Sequence, residues 1–96
     1  MYLKIYKNGE QILVAACDEE VLGKSLKHGK AVVEISRAFY EGECVSEEKL
    51  QKALEEATTA NLFGEKTISC AIKYGLIDPD SVIIIDGVPH AQFFRV

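Results

Sequence analysis

Two apolar-rich runs open the chain, residues 2–7 and 11–17, with Asn8-Gly9 between them. Asn-Gly accepts the positive φ angles of a tight two-residue turn, so the pattern predicts a β-hairpin. With Asn8-Gly9 as the loop, Lys7 faces Glu10, Ile5 faces Ile12 and Leu3 faces Val14. One face is then apolar, and an opposite-charge pair closes the turn. The second run is apolar on both faces, which predicts an interior strand. Residues 18–30 are polar, carry Gly23 and Gly29, and read as a connection. Residues 31–36 alternate enough to predict a third strand. Phe39-Tyr40-Glu41-Gly42 then reads as a turn that carries aromatic anchors into the core.

The period changes beyond residue 45. Leu50, Ala53, Leu54 and Ala57 recur at helical spacing and define one buried face. Ser46 suits the N-cap, Val45 and Leu50 stand where a hydrophobic staple forms, and Glu47 and Glu48 favour the positive end of the helix dipole. After an interruption at residues 58–61, a second helix places Gly64, Ile68, Ala71 and Ile72 on its buried side. Gly75-Leu76 ends that helix in a Schellman-type cap. Asp78-Pro79-Asp80 predicts a turn, residues 81–85 a strand, and Asp86-Gly87 another turn. The extended segment from Val88 onward contains Pro89, which cannot donate to a ladder and so predicts an edge or an irregularity. The expected fold is α+β: a mostly antiparallel sheet (N-terminal hairpin, third strand, C-terminal hairpin) with a helix pair packed on one face, as one domain over residues 1–96.

Composition narrows the class. The chain has 96 residues, 48% of them hydrophobic, enough for one core without disulfides or metals. No apolar run approaches a membrane span and no secretory leader is visible, so a cytoplasmic location is expected. Cys17, Cys44 and Cys70 are odd in number and lack C-x-x-C spacing, which suits reduced thiols and neither a disulfide framework nor a zinc site. No metal or cofactor is expected. The formal charge of -4 and pI near 5.1 argue against a general affinity for polyanions, and neither half of the chain is basic.

Candidate chemistry is sparse. Lys24, Lys27, His28 and Lys30 fall within seven residues beside two glycines, a loop that could hold an anion. Gly23-Lys24-Ser25 resembles the end of a phosphate-binding loop, but Asp18 stands where that motif needs glycine. No aromatic residue interleaves with these cations, which weighs against direct nucleic-acid binding through them. Cys17, at the end of an interior strand, and His90, after a rigid proline, form a conceivable nucleophile–base pair if they meet. The plainer reading makes Cys17 a buried thiol and His90 a capping or exposed side chain. Asp18-Glu19-Glu20 clusters three acids without neighbouring His or Cys ligands, a set that seldom binds metal tightly, and Glu55-Glu56 reads as a solvated helix face. Two further stretches stand out. Asn61, Gly64 and Glu65 lie at the junction between the helices, while Pro89, His90 and Gln92 lie on the last extended segment. The plainer reading is a capping Asn, a packing Gly and edge polar residues; the functional reading is a shared polar groove formed by the helix junction and the last extended segment.

Three stretches carry a family resemblance: residues 17–24 (Cys-Asp-Glu-Glu-Val-Leu-Gly-Lys), residues 60–65 (Ala-Asn-Leu-Phe-Gly-Glu) and residues 87–92 (Gly-Val-Pro-His-Ala-Gln). The chain resembles an archaeal family of stand-alone proteins near 100 residues, the domain-of-unknown-function family numbered 424. That resemblance implies an archaeal, cytoplasmic, single-domain protein and no particular activity. With no complete catalytic or metal constellation, the expectation is a non-catalytic binding module docking on a protein or ribonucleoprotein partner. Asn61, Gly64, Glu65, Pro89, His90 and Gln92 would carry recognition, with Lys24 and Lys27 adding an anion contact. Three alternatives stay open: a small Cys17/His90 hydrolase or transferase, RNA or anion binding by the Lys24 to Lys30 loop, and a homo-oligomer paired through the final extended segment.

Overall fold

The computed structural model describes residues 1–95. Among them are eight strands: β1 (Tyr2–Asn8), β2 (Gln11–Cys17), β3 (Ser25–His28), β4 (Ala31–Glu34), β5 (Glu43–Cys44), β6 (Thr59–Phe63), β7 (Ile83–Ile85) and β8 (Val88–Phe94). Three helices accompany them: α1 (Arg37–Tyr40), α2 (Glu47–Glu56) and α3 (Glu65–Lys73). Six strands form one sheet in the order β5-β1-β2-β6-β8-β7, and β3 with β4 makes a separate ribbon. Among the described residues only the β2–β6 pairing is parallel. The fold is thus the expected α+β class with a mostly antiparallel sheet, and β2 is interior as its two apolar faces require.

The N-terminal hairpin sits two residues from its expected register. Asn8 faces Gln11, Lys7 faces Ile12, and Ile5 faces Val14. Its loop is Gly9-Glu10 with Gly9 at φ 63, and glycine at the first central position suits a type II′ turn. A shift of two preserves the face of every side chain, so the burial pattern survives although the Lys7–Glu10 closure does not.

Residues 18–30 hold more structure than a polar connection. A single 3-10 turn over Glu19–Val21 turns Val21 inward, and β3 carries Leu26 into the core. The expected third strand pairs with β3 and stands apart from the main sheet. Phe39 and Tyr40 do anchor this region, but from the short helix α1, capped by Ser36 Oγ accepting from Phe39 N.

The largest correction falls at residues 58–61. That interruption is the start of β6, which lies at the centre of the sheet between β2 and β8. Gly64 is accordingly the N-cap of α3 and not part of its buried stripe. The C-terminal hairpin turns at Asp86-Gly87 as expected, though β7 starts at Ile83, after a 3-10 turn whose Asp78 side chain accepts from Asp80 N. β8 pairs on both sides, with β6 and β7, so Pro89 is not on an edge. Gly64 N donates to Pro89 O at the point where β6 has ended. β7 reaches only residues 88–90, so along residues 91–94 β8 has a strand partner on the β6 side alone among the described residues.

Both long helices cover the same side of the sheet, as the sequence predicted. Leu50, Ala53 and Leu54 of α2 and Ile68, Cys70 and Ala71 of α3 pack with Leu3, Val14, Ala16, Ala60, Leu62 and Ala91. Ser46 Oγ caps α2 by accepting from Lys49 N, with Val45 packed beneath. Leu76 N to Ala71 O and Gly75 N to Ile72 O complete the Schellman end of α3. On the opposite side, Ala15, Cys17, Phe63, Ile85 and Val88 pack under Val21, Leu26, Ile35 and Tyr40 of the segment between β2 and α2.

Asp18 joins these layers. It follows β2 directly, is 1% exposed, and donates its backbone N–H to Phe63 O of β6. Its Oδ1 accepts from Thr67 N and Thr67 Oγ1 at 2.8 Å each, and its Oδ2 accepts from Lys66 N at 2.9 Å. The carboxylate thereby caps α3, although it lies nearly fifty residues away in the chain, and sits at the positive end of the helix dipole. Gly64 leaves it room: a Cβ there would lie 2.4 Å from Asp18 Cγ, and the backbone holds φ 108. Asp18→Ala strips the acceptor from two amides and a hydroxyl, and the loss expected from cap and charged hydrogen-bond energies is about 3 kcal/mol. Urea unfolding should show it, with exposed Glu20→Ala as the control; a deficit below about 1 kcal/mol would contradict the role given to Asp18.

Candidate docking face

Alternation along the strands decides what stands on the side opposite the long helices. β6 presents Thr59, Asn61 and Phe63, and β8 presents His90, Gln92 and Phe94. Asn61 lies directly opposite Gln92, Phe63 opposite His90, and Thr59 opposite Phe94. The segment between β2 and α2 covers the Phe63 end of this side and, through Phe39 stacked on Tyr6, part of β1, but leaves the Thr59 end of β6 and the Phe94 end of β8 open. Thr59, Asn61, Gln92, Phe93 and Phe94 line a groove of about 360 Å³ in the uncovered half, where the Phe94 ring is 68% exposed. From the strand registers, this side of β1 shows Lys4, Tyr6 and Asn8, and that of β2 shows Gln11, Leu13 and Ala15. No Asp or Glu stands on this side of the four strands.

His90 marks the boundary between the covered and open halves. Its ring stacks on Phe63 with centroids 4.1 Å apart, and its Nδ1 lies 2.9 Å from Leu62 O. A carbonyl only accepts, so Nδ1 carries the proton and Nε2 is left as an acceptor in the neutral ring. Burial pushes the imidazole below its ordinary value; the Leu62 bond opposes this and the charge of His28 reinforces it.

The residues singled out from the sequence thus divide in two. Asn61, His90 and Gln92 share one row. Gly64, Glu65, Pro89 and Lys24 line a different cleft, of about 200 Å³, at the far end of β6 with Asp18 and Glu20. Lys27 sits on β3, where its backbone N–H donates to Asp86 Oδ2 and ties the ribbon to the C-terminal hairpin. Cys17 and His90 are not brought together. The register runs Cys17, Phe63, His90 across three adjacent strands, so Phe63 stands between them and they are two strand spacings, roughly 9–10 Å, apart. Cys17 is 0% exposed, and burial pushes its thiol up to about 12, the opposite of nucleophile activation.

Sequence reasoning missed Thr59 and Phe94, which gain meaning only once β6 is recognised as a strand. It also missed the cluster of the Met1 ammonium, Glu19 and Cys44. Cys44 Sγ donates to Glu19 Oε1 at 3.2 Å and the ammonium lies 3.5 Å away, and both hold the Glu19 carboxyl below its ordinary range. A cleft of about 530 Å³ lies beside α3 between Met1, Glu47, Lys66 and Lys73, and a Lys73–Glu47 ion pair joins two of its walls. No group of three or more His, Cys, Asp or Glu among the described residues is placed to hold a metal, and no helix there is long and apolar enough to cross a membrane.

Two measurements check this geometry. Iodoacetamide at neutral pH should modify Cys44 alone in the folded protein and all three thiols in urea, as read by mass spectrometry; rapid native labelling of Cys17 would contradict its burial. His90 has its folded value depressed below the ordinary 6.5, so the unfolded chain binds the proton more readily. Its contribution to stability is complete above 6.5 and declines as pH falls towards the folded value. His90→Gln should therefore lose less stability than the parent between pH 7.5 and 5.5, and equal losses would refute the burial effect.

With the geometry in place, the relatives can be set beside it. A crystal structure of an uncharacterized conserved protein from Methanopyrus kandleri superposes with a TM-score of 0.82 at 31% sequence identity, covering 96% of this chain and 88% of that one. No curated protein matches the chain. The family described as a protein of unknown function, DUF424, matches residues 6–96, and with nearly the whole chain matched, the protein belongs to the DUF424 family.

Proposed function

We propose that the chain is a non-catalytic binding module of an archaeal cytoplasm that docks on a protein or ribonucleoprotein partner through the open half of its sheet. The observation that carries this reading is the groove of Thr59, Asn61, Gln92 and Phe94. There an aromatic ring stands in solvent beside paired amides, with no acid on the surrounding strands. An exposed ring flanked by unscreened amide donors and acceptors is the composition of a recognition surface. Asn61, His90 and Gln92 retain the role expected of them, while Gly64 and Pro89 shape the far end of β6. Glu65, Lys24 and Lys27 border that end. The Methanopyrus kandleri neighbour is consistent with an archaeal source and is itself uncharacterized.

Gln92→Ala and Phe94→Ala test the proposal, since both side chains are exposed and contribute little to the core. A partner complex isolated from native lysate with the parent protein is re-measured with each variant by biolayer interferometry. Affinity should fall roughly tenfold or more for at least one of them, the scale of an interface hot spot. Parental affinity in both variants would remove this face from the interface.

A further inference from the structure

Resting on that docking reading, we infer that the open half-face binds single-stranded RNA, with Phe94 stacking a base, Asn61 and Gln92 reading base edges, and the β3–β4 ribbon holding phosphates. Three observations converge on this ligand. The floor of the groove is uncharged and amide-rich, and each amide offers both a donor and an acceptor, as a nucleobase edge requires. An exposed aromatic ring closes one end of the row, and stacking on such rings is how proteins hold unpaired bases. Cations stand at the other end. Lys24, Lys27 and Lys30 lie on or beside the β3–β4 ribbon, and none of them enters an ion pair among the described residues.

The ribbon is positioned to extend the row. Leu26 and His28 share one side of β3 by alternation, and Leu26 is buried in the core under the ribbon. His28 is close enough to act on the charge of His90. His90, Gln92 and Phe94 then follow on alternate positions of β8, so cationic ribbon, boundary histidine, amide pair and aromatic ring succeed one another. Five of the fifteen acids, Glu47, Glu48, Glu55, Glu56 and Glu65, sit on α2 and α3, which cover the opposite side of the sheet, while Glu34 of β4 and Asp86, whose Oδ2 accepts from Lys27 N, stand at the ribbon.

Isotope-labelled protein titrated with 12-nucleotide oligouridylate and oligoadenylate provides the test. Backbone and side-chain amide shifts should appear at Asn61, Gln92 and Phe94 with at least one oligomer. Three phosphate contacts give a single-strand salt slope near −2, so affinity should weaken roughly 40-fold between 50 and 300 mM salt. Phe94→Ala should reduce affinity about fivefold or more, and joint replacement of Lys24, Lys27 and Lys30 by Ala should flatten the salt dependence. Circular dichroism confirms that each variant is folded. Absence of shifts at Asn61, Gln92 and Phe94 at millimolar RNA overturns the inference, as does binding that Phe94→Ala leaves intact. If RNA is silent while the isolated protein partner still perturbs this face, the RNA inference falls and the docking reading stands. If partner affinity also survives both docking variants, the docking reading falls separately.

Discussion

One carboxylate holds the architecture in register. Asp18 ends β2, bonds through its backbone to β6, and caps α3 through its side chain, so three elements distant in sequence meet at a single buried charge. Burying a carboxylate is unfavourable unless every lone pair of consequence is satisfied, and here two amides, a hydroxyl and the helix dipole do this together. The arrangement also dictates Gly64. A side chain there would occupy the space of the Asp18 carboxyl, so the cap and the glycine are one device spread over two loops. Because β2 and β6 run parallel, both their C-terminal ends arrive at this point, and α3 starts from it.

That junction decides which surfaces remain open. With α2 and α3 committed to one side of the sheet, the other side depends on the segment between β2 and α2 for cover. Val21, Leu26, Ile35 and Tyr40 reach across Cys17, Phe63 and Val88, and Phe39 stacks on Tyr6 of β1, which leaves the Asn61, Gln92 and Phe94 part of β6 and β8 outside the cover. The strands continue for several residues beyond it. A strand side that continues past its cover must be water-compatible, and residues Thr59, Asn61 and Gln92 supply that compatibility without charge. Phe94 is the exception, an aromatic ring left in solvent at the end of an otherwise well-anchored strand. Its neighbours are held firmly: Arg95 Nη1 donates to Leu54 O and Ala57 O, and its guanidinium lies over the Phe93 ring. The exposure of Phe94 is therefore a property of a fixed backbone.

How much of this was legible depended on the length of each signal. Helix α2 was readable because a cap, a staple and a buried stripe agree over a dozen residues. The helix end at Gly75-Leu76 and the turn at Asp86-Gly87 were readable because their chemistry is local. β6 was not, since five residues between two helical patterns look like a break, and Thr59 and Asn61 carry no strand signature of their own. What makes them a strand is pairing with β2 and β8, which are far away in sequence. The same non-local cause hid the cap by Asp18, which reads as one of three adjacent acids until the fold brings Lys66 and Thr67 to it. Asn61, His90 and Gln92 were found by their unusual setting, but their alignment in one row required β6 to be known as a strand.

Net charge says little about any single face for the same reason. A sum over the chain counts acids on α2 and α3 against lysines on the β3–β4 ribbon, although the sheet separates them. Charges screened over roughly 8–10 Å act on what lies near them, not on the total. An acidic helix layer and a cationic ribbon can therefore coexist in a small protein, each facing a different environment. The chemistry of the face between the ribbon and Phe94 follows from the strands that build it, since β1, β2, β6 and β8 contain no Asp or Glu.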